Sequence, residues 1–363
     1  MSNSLGEFFR ITVFGESHGS GIGVVIDGCP AGLEISREDI QKAVDRRKPR
    51  TGAGQTARRE PDEVEILSGI FEGRTTGAGL ALMVRNRDAD SEAYRQTRLI
   101  PRPGHADYTA FIKYGGFNDY RGGGAFSGRV TVALVMAGAV ALKLLKNMGV
   151  EILSHTRRIG SIQSEITEPD LVRRNVEGNP LRCADVSAAK AMQVLIDEAV
   201  KAGDSLGGIV ECLVLNLPAG LGEPYFDSLE GQLARAYFAI PAVKGVEFGD
   251  GFKTAEKKGS ENNDAFILAG SRIGTASNHA GGILGGISTG MPVVARIAVK
   301  PTPSIALPQK SINLKTLESE EIVVRGRHDS CIVPRAAVVV EAVTAVVLCD
   351  FALKAGVLKR VIK

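Results

Sequence analysis

Residues 130–142 read VTVALVMAGAVAL and residues 336–348 read AAVVVEAVTAVVL. The first stretch has no charged residue and the second only Glu341. Both read as helices, and a helix that is apolar all round must be covered on every side. The chain must therefore build layers that enclose these two segments. Each directly follows a loop containing Gly or Arg, so each would aim its positive N-terminal end at whatever those loops bind.

Outward from these helices the chain repeats itself faintly. Gly15-Glu-Ser-His-Gly19 leads through an apolar stretch to Pro30-Ala-Gly-Leu33, and Gly203-Asp-Ser-Leu-Gly207 leads to Pro218-Ala-Gly-Leu221. Both ends of the match are 188 residues apart. Thr76-Gly77 before a strand recurs as Thr289-Gly290, and Arg129 before one apolar helix recurs as Arg335 before the other. The pattern predicts two similar halves about a pseudo-twofold, in one continuous domain covering residues 1–363. The second copy carries Leu206 where the first carries His18, so one half alone keeps that imidazole. Strand-like patterns fall at Phe9–Phe14, Gly23–Asp27, Leu80–Arg85, Val210–Leu215 and Pro292–Val299. Helix-like patterns fall at Arg37–Arg47 and at Asp185–Ala202, the latter with Asp185 as N-cap and Gly203 as its stop.

The bulk numbers narrow the class. The chain has 363 residues, 44% hydrophobic and 23% charged, an ordinary globular composition. Lys and Arg number 44 against 41 Asp and Glu, a net charge of +3. That near balance gives no global attraction to nucleic acid or membrane, so anion binding must come from local clusters. Gly reaches 43 residues, well above the roughly 7% of average usage. Five cysteines form no CxxC, which argues against a zinc site or disulfide framework and for a reducing compartment. The N-terminus lacks a signal-peptide pattern, and apolar runs of about 13 residues fall short of the roughly 20 a spanning helix needs. A cytoplasmic protein is expected.

Four of the five histidines lie in Gly- or Arg-rich loops: His18, His105, His279 and His328. Imidazole titrates near neutral pH and serves as general acid or base where its surroundings tune it. His155, beside Thr156-Arg-Arg, reads as structural. Basic residues gather in similar loops, among them Arg46-Arg-Lys48, Arg58-Arg59, Arg102, Lys113, Arg121, Arg129, Lys300, Arg325, Arg327 and Arg335. Guanidinium binds carboxylate and phosphate bidentately, so the clustering suggests a pocket for a multiply charged anion. A nucleic-acid groove fits less well, because aromatics are 5% of the chain and Trp is absent. No GxxxxGK[ST] occurs, and Gly19-Ser-Gly21-Ile-Gly23 lacks the GxGxxG spacing. His328, Asp329 and Cys331 match no strong zinc pattern, and Cys331 reads as core.

Seven loop signatures then run in order across nearly the whole chain. They are Phe14-Gly-Glu-Ser-His-Gly19; Arg102-Pro-Gly-His-Ala-Asp-Tyr108 with Lys113-Tyr-Gly115; Asp119-Tyr-Arg-Gly-Gly-Gly124 with Ser127 and Arg129; and Gly245-Val-Glu247 with Gly249-Asp-Gly-Phe252. Asn278-His-Ala-Gly-Gly-Ile-Leu-Gly-Gly286, Lys300-Pro-Thr-Pro-Ser304 and Gly326-Arg-His-Asp-Ser-Cys331 complete the set. In these the chain resembles the chorismate synthase family.

The resemblance implies an α+β fold, a β-α-β sandwich with helices enclosed between antiparallel sheets, assembled as a homotetramer. It implies anti 1,4-elimination of phosphate from 5-enolpyruvylshikimate 3-phosphate to give chorismate in the shikimate pathway. It also implies a flavoprotein, of the class that uses FMN or FAD, that requires reduced FMN without net redox change. By motif, His105 would protonate or stabilise the reduced flavin, His18 would act as general acid near the departing phosphate, and Asp329 would assist removal of the C6 proton. Ser17, Arg47, Arg102, Arg129 and Arg335 would hold the substrate. FMN would lie against Ala125, Phe126, Ser127, Pro241, Ala242, Gly285, Lys300, Pro301, Thr302, Pro303, Ser304 and Arg327.

The family pattern differs at Ala125-Phe-Ser-Gly-Arg129, at Pro241 and at Pro49-Arg-Thr-Gly-Ala-Gly-Gln55. Two sources of electrons therefore stay open: NADPH, with Arg47 as the nicotinamide candidate, or a separate flavin reductase. Two other classes also stay open. A flavin-dependent oxidoreductase on this scaffold would oxidise nicotinamide in step with product. A non-catalytic anion- or RNA-binding protein would bind nucleic acid with steep salt dependence and ignore FMN.

Overall fold

The structure, a computed structural model, describes residues 3–50, 54, 60–87, 94, 98–324 and 329–363. Strands β1 (Ser4–Leu5), β2 (Arg10–Gly15), β3 (Gly21–Asp27), β4 (Val64–Ser68) and β5 (Leu80–Arg85) form an antiparallel sheet in the order β1-β2-β3-β5-β4. Strands β6 (Glu151–Ile159), β7 (Ile162–Gln163), β8 (Gly208–Leu215), β9 (Val243–Phe248) and β10 (Val293–Val299) form a second, in the order β7-β6-β8-β10-β9. In β10, VVARIAV, buried residues alternate strictly with half-buried ones, the period-2 pattern of a strand with one face on the core.

The helices that matter for the site are α1 (Arg37–Arg47), α2 (Asp107–Lys113), α3 (Thr131–Lys146), α4 (Val186–Lys201), α5 (Leu229–Phe238) and α6 (Val333–Lys354). Helices α1 and α3 lie on the first sheet, α5 and α6 on the second, and α3 packs directly on α6. The enclosed layer is thus two helices deep, and one apolar cluster runs through both sheets and the helices between them.

The two halves share a topology. The order β2-β3-β5-β4 is matched by β6-β8-β10-β9. Helix α1 falls between β3 and β4 as α5 falls between β8 and β9, and α3 follows β5 as α6 follows β10. The halves differ where residues 16–20 turn tightly from β2 into β3, because β7 and α4 are inserted between β6 and β8. Gly203 ends α4 with a left-handed φ of 71° and does not close a hairpin as Gly15 does.

The buried helices are longer than their charge-free runs. Residues 128–146 and 333–354 would pass as membrane spans by length and composition, which corrects the expectation of runs too short to span. Of their apolar windows 61% and 94% respectively are buried inside the protein, as core helices are. Glu341, the one acid inside the α6 run, is buried and accepts two hydrogen bonds from Arg46 of α1, at 2.7 and 3.1 Å. Pairing removes most of the penalty of an isolated buried charge. Near the other end of α6, Asp350 Oδ1 accepts the backbone N–H groups of Glu7, Phe8 and Phe9 at 2.6–2.9 Å, which pins the N-terminal segment to the last helix.

Candidate active site

Helices α3 and α6 begin at the same place, a cavity of about 630 Å³ to which Arg129, Thr131, Arg335 and Ala336 all contribute. Arg47, the last residue of α1, enters from the side and is almost wholly buried. Its Nε donates to Thr131 Oγ1 at 2.9 Å, and its Nη2 donates to the Gly128 carbonyl at 2.8 Å. Ser127 caps the short 3-10 turn that carries Arg129 into α3. Arg129 Nε donates to Asn86 Oδ1 at 2.7 Å, and its Nη2 lies 2.8 Å from Asp62 Oδ1. Arg335 Nη1 donates to Asp329 Oδ2 at 2.7 Å.

The electrostatics favour an anion. Arg47, Lys48, Arg102, Arg129, Lys244, Lys300 and Arg335 line the cavity against Glu60, Asp62 and Asp329. Burial pulls the Arg47 guanidinium down to about 9; Arg335 and Arg129 add to that pull, while Asp62 and Asp329 oppose it. An anion bound among these groups would relieve the strain, and two helix N-termini add their partial positive charge.

Both candidate histidines sit against one glycine turn. Gly122 and Gly123 adopt left-handed φ values of 59° and 83°. A Cβ at Gly122 would stand 2.5 Å from His18 Nε2, and one at Gly123 would stand 3.2 Å from His105 Nε2. Only glycine lets the backbone pass between the two rings. His18 is buried edge-on to Tyr94, with ring centroids 5.3 Å apart; its neighbours Ser17 and Gly122 line the cavity, and His18 itself is not part of the lining. His105 lines the cavity itself, beside Arg102 and Asp107.

The remaining wall is formed by Ala125, Phe126 and Ser127, by Pro241 and Ala242 after α5, and by Lys300, Thr302, Pro303 and Ser304 after β10. These segments are tied together: Lys300 N–H donates to the Ala242 carbonyl at 2.9 Å, and Arg102 Nη1 donates to Ser304 Oγ at 3.1 Å. Lys300 Nζ also donates to the Gly104 carbonyl. Ser17 Oγ and Thr302 Oγ1 are buried with no hydrogen-bond partner among the described residues. Buried hydroxyls in that condition suit ligands rich in acceptors: Thr302 belongs to the wall that a flavin nucleotide fits, and Ser17 stands outside that wall, beside His18.

Most of the sequence candidates therefore converge on one cavity. Pro301 packs beside Gly207 and does not line it. Gly285 does not line it either; its neighbour Gly286 packs on Ser228, at the end of α5 far from the cavity. Arg327 and His328, with Arg325 and most of residues 51–59, lie outside the described residues. His279 is held by the Asn262 carbonyl at 3.0 Å, away from the cavity. His155 is fully buried in the second sheet, 3.1 Å from Glu211, which also accepts from Arg296. Cys331 is buried in the core.

Asp62, Asn86 and Asp107, like Glu60 and Lys244 of the lining, are site residues not singled out from the sequence. Asp62 and Asn86 carried no local signal, since each is polar at a strand boundary. Asp107 stands two residues after His105 within Arg102-Pro-Gly-His-Ala-Asp-Tyr108, and its charge and spacing are signal enough.

Comparison with known proteins places the chain in a family. The family model described as chorismate synthase matches residues 9–353. A chorismate synthase from Dehalococcoides mccartyi is 56% identical over 363 residues, 100% of both chains. One from Methanothermobacter thermautotrophicus is 52% identical over 98% of this chain and 95% of its own. A crystal structure of chorismate synthase superposes with a TM-score of 0.77 at 33% identity, covering 96% of this chain and 93% of the other. The chain belongs to the chorismate synthase family, and by that membership it is a lyase of aromatic amino acid biosynthesis.

Proposed function

We propose that the chain releases phosphate from 5-enolpyruvylshikimate 3-phosphate by anti 1,4-elimination, yielding chorismate, with reduced FMN bound and no net redox change. The observation that carries this reading is the convergence of Arg47, Arg129 and Arg335 at two buried helix N-termini, with His18 and His105 on either side of Gly122-Gly123. A substrate with one phosphate and two carboxylates meets three guanidinium groups and two dipole ends.

When bound, a reduced flavin supplies transient electron density for C–O cleavage and takes it back. The protein's own part is positioning and proton handling. Ser17, Arg47, Arg129 and Arg335 hold the anionic groups, and His18 beside Ser17 delivers a proton toward the departing phosphate. His105 holds a proton toward the flavin. Asp329, kept in place by Arg335, assists removal of the C6 proton. Arg102 is occupied by Asp107 and Ser304, so its share in substrate binding is as a scaffold for that loop. Ala125–Ser127, Pro241-Ala242, Lys300 and Thr302–Ser304 form the flavin wall, with Thr302 Oγ1 ready to donate. NADPH at Arg47 or a separate reductase supplies the electrons. A cytoplasmic homotetramer of one-domain subunits is part of the same proposal, supported on the last point by the large apolar cluster that runs through both sheets, beside which only a small second cluster stands among the described residues.

Anaerobic incubation with the substrate, with and without dithionite-reduced FMN, tests the reading. Stoichiometric chorismate and phosphate only with reduced flavin is the expected result. Bound reduced flavin without product would overturn it, and oxidised FMN plus NADPH in a third arm identifies the electron source.

A further inference from the structure

We propose that Asp107 is a positioning residue that holds His105 in its Nδ1–H tautomer and so turns Nε2, the proton-exchanging nitrogen, toward the flavin wall of the cavity.

His105 Nδ1 lies 2.6 Å from Asp107 Oδ1. Asp107 is itself immobilised: Oδ2 accepts from Arg102 Nε at 2.7 Å and from Arg102 N–H at 3.0 Å, and Oδ1 accepts from Arg102 Nη2 at 2.8 Å. Burial raises the Asp107 carboxyl, but hydrogen bonds from Arg102 and His105 outweigh it and hold the group well below the usual carboxylate range. It is therefore an acceptor at neutral pH, and an Nδ1 lone pair facing it at 2.6 Å would be repelled. The proton belongs on Nδ1.

Arg102 Nη2 also approaches the ring, at 3.0 Å from Nδ1 and 3.3 Å from Nε2. Near-equal distances to both nitrogens put it along neither lone pair, and one of its two hydrogens is already directed to Asp107 Oδ1. The arrangement is a carboxylate–imidazole pair neutralised from behind by a guanidinium. When Nε2 takes a proton from a group in the cavity, Asp107 balances the imidazolium; when it returns the proton, the ring falls back to the Nδ1–H form. Gly123, with no Cβ, keeps the Nε2 side open.

The catalytic consequence rests on the function proposed above, whereas the tautomer does not. Long-range 1H–15N correlation spectra of full-length enzyme carrying 15N-labelled histidine, at neutral pH without substrate, read it directly. The His105 signal is assigned by its loss in His105→Gln. A protonated Nδ1 and an unprotonated Nε2 are expected. A proton on Nε2 in the wild type would overturn the proposal whether or not any variant folds. In Asp107→Asn the amide can serve either ring nitrogen, so the spectrum should move toward the Nε2–H form and kcat should fall on the order of 10²-fold or more, with KM much less affected. An unchanged tautomer and kcat in that variant would also overturn it. Failure of wild-type enzyme to make chorismate would sink the function and leave the tautomer standing.

Discussion

Gly138 of α3 and Ala342 of α6 meet with no space for a side chain between them: a Cβ at position 138 would lie 2.4 Å from Ala342 Cβ and 2.5 Å from its Cα. This contact sets how closely the two enclosed helices cross, and those helices carry Arg129 and Arg335 to the cavity at their starts. Gly138→Ala would gain about 1 kcal/mol of helix propensity and lose more to overpacking against backbone. A net destabilisation of about 1–3 kcal/mol is expected from urea midpoints at unchanged m-value. A wild-type midpoint would mean that the helices separate freely.

Asn86 links the two anion-binding elements. Its Nδ2 donates to the carbonyls of Glu16 and Gly19 at 2.9 and 2.8 Å, fixing the turn that bears Ser17 and His18, while its Oδ1 accepts from Arg129. Asn86→Asp keeps the acceptor but turns a second oxygen on two carbonyls. The displaced turn should cost about 10²-fold in kcat/KM. Measured loss below threefold would show that the turn holds its shape without this residue.

His18 and Asp329 act on opposite ends of the proposed elimination, one supplying a proton and one assisting its removal. His18→Ala and Asp329→Asn should each lower turnover on the order of 10²-fold or more with reduced FMN supplied. Turnover at the wild-type rate in either variant would remove that residue from the mechanism.

How much of this was legible in the sequence depends on range. The strands at β2, β3, β5, β8 and β10 and helix α1 carry their own periodicity, and α1 coincides with the helix-like pattern at Arg37–Arg47, capped in the structure by Ser36. Strands β6 and β9 were missed because EILSHTRRI and VKGVEF place polar residues where only cross-strand partners make burial tolerable: His155 with Glu211, Arg296 with Glu247. The cavity was legible through its Gly, Arg and His loops. The polar groups that tie it together were not, since Asp62 and Asn86 acquire meaning only once Arg129 arrives beside them.

Burial pushes the thiols of Cys29, Cys212 and Cys331 up to about 12. An unfolded thiol ionises near 8.5. A folded value raised above the unfolded one contributes stability that is fully present below about pH 8.5 and is lost as pH rises toward 12. Unfolding midpoints should therefore fall steeply above pH 9, and native protein at pH 8.5 should resist alkylation while urea exposes all five thiols. Rapid labelling of Cys29, Cys212 or Cys331 in native protein would contradict this.

Glu177 works at the opposite end of the pH scale and close to the site. It accepts from Arg46 Nε at 2.9 Å and also pairs with Arg50 and Arg182. Arg182 Nη2 in turn donates to the Arg46 carbonyl at 2.6 Å, one residue from Arg47. Burial raises the Glu177 carboxyl, but the attraction of Arg182 and Arg46 and the hydrogen bonds of Arg50 and Arg46 leave it at about 2. A folded value below the unfolded one, about 4.3, gives stability that is present above pH 4.3 and is lost as pH falls toward 2. The side chain is 46% exposed, so solvent screening limits the contribution to about 1 kcal/mol. Glu177→Gln should lose that amount at pH 7 and flatten the acid limb between pH 4.5 and 2. Because the network steadies the end of α1, KM should rise more than kcat falls. An unaltered acid limb would show that the three arginines hold α1 without this carboxylate, and an unaltered KM would show that Arg47 is set by Thr131 and the Gly128 carbonyl alone.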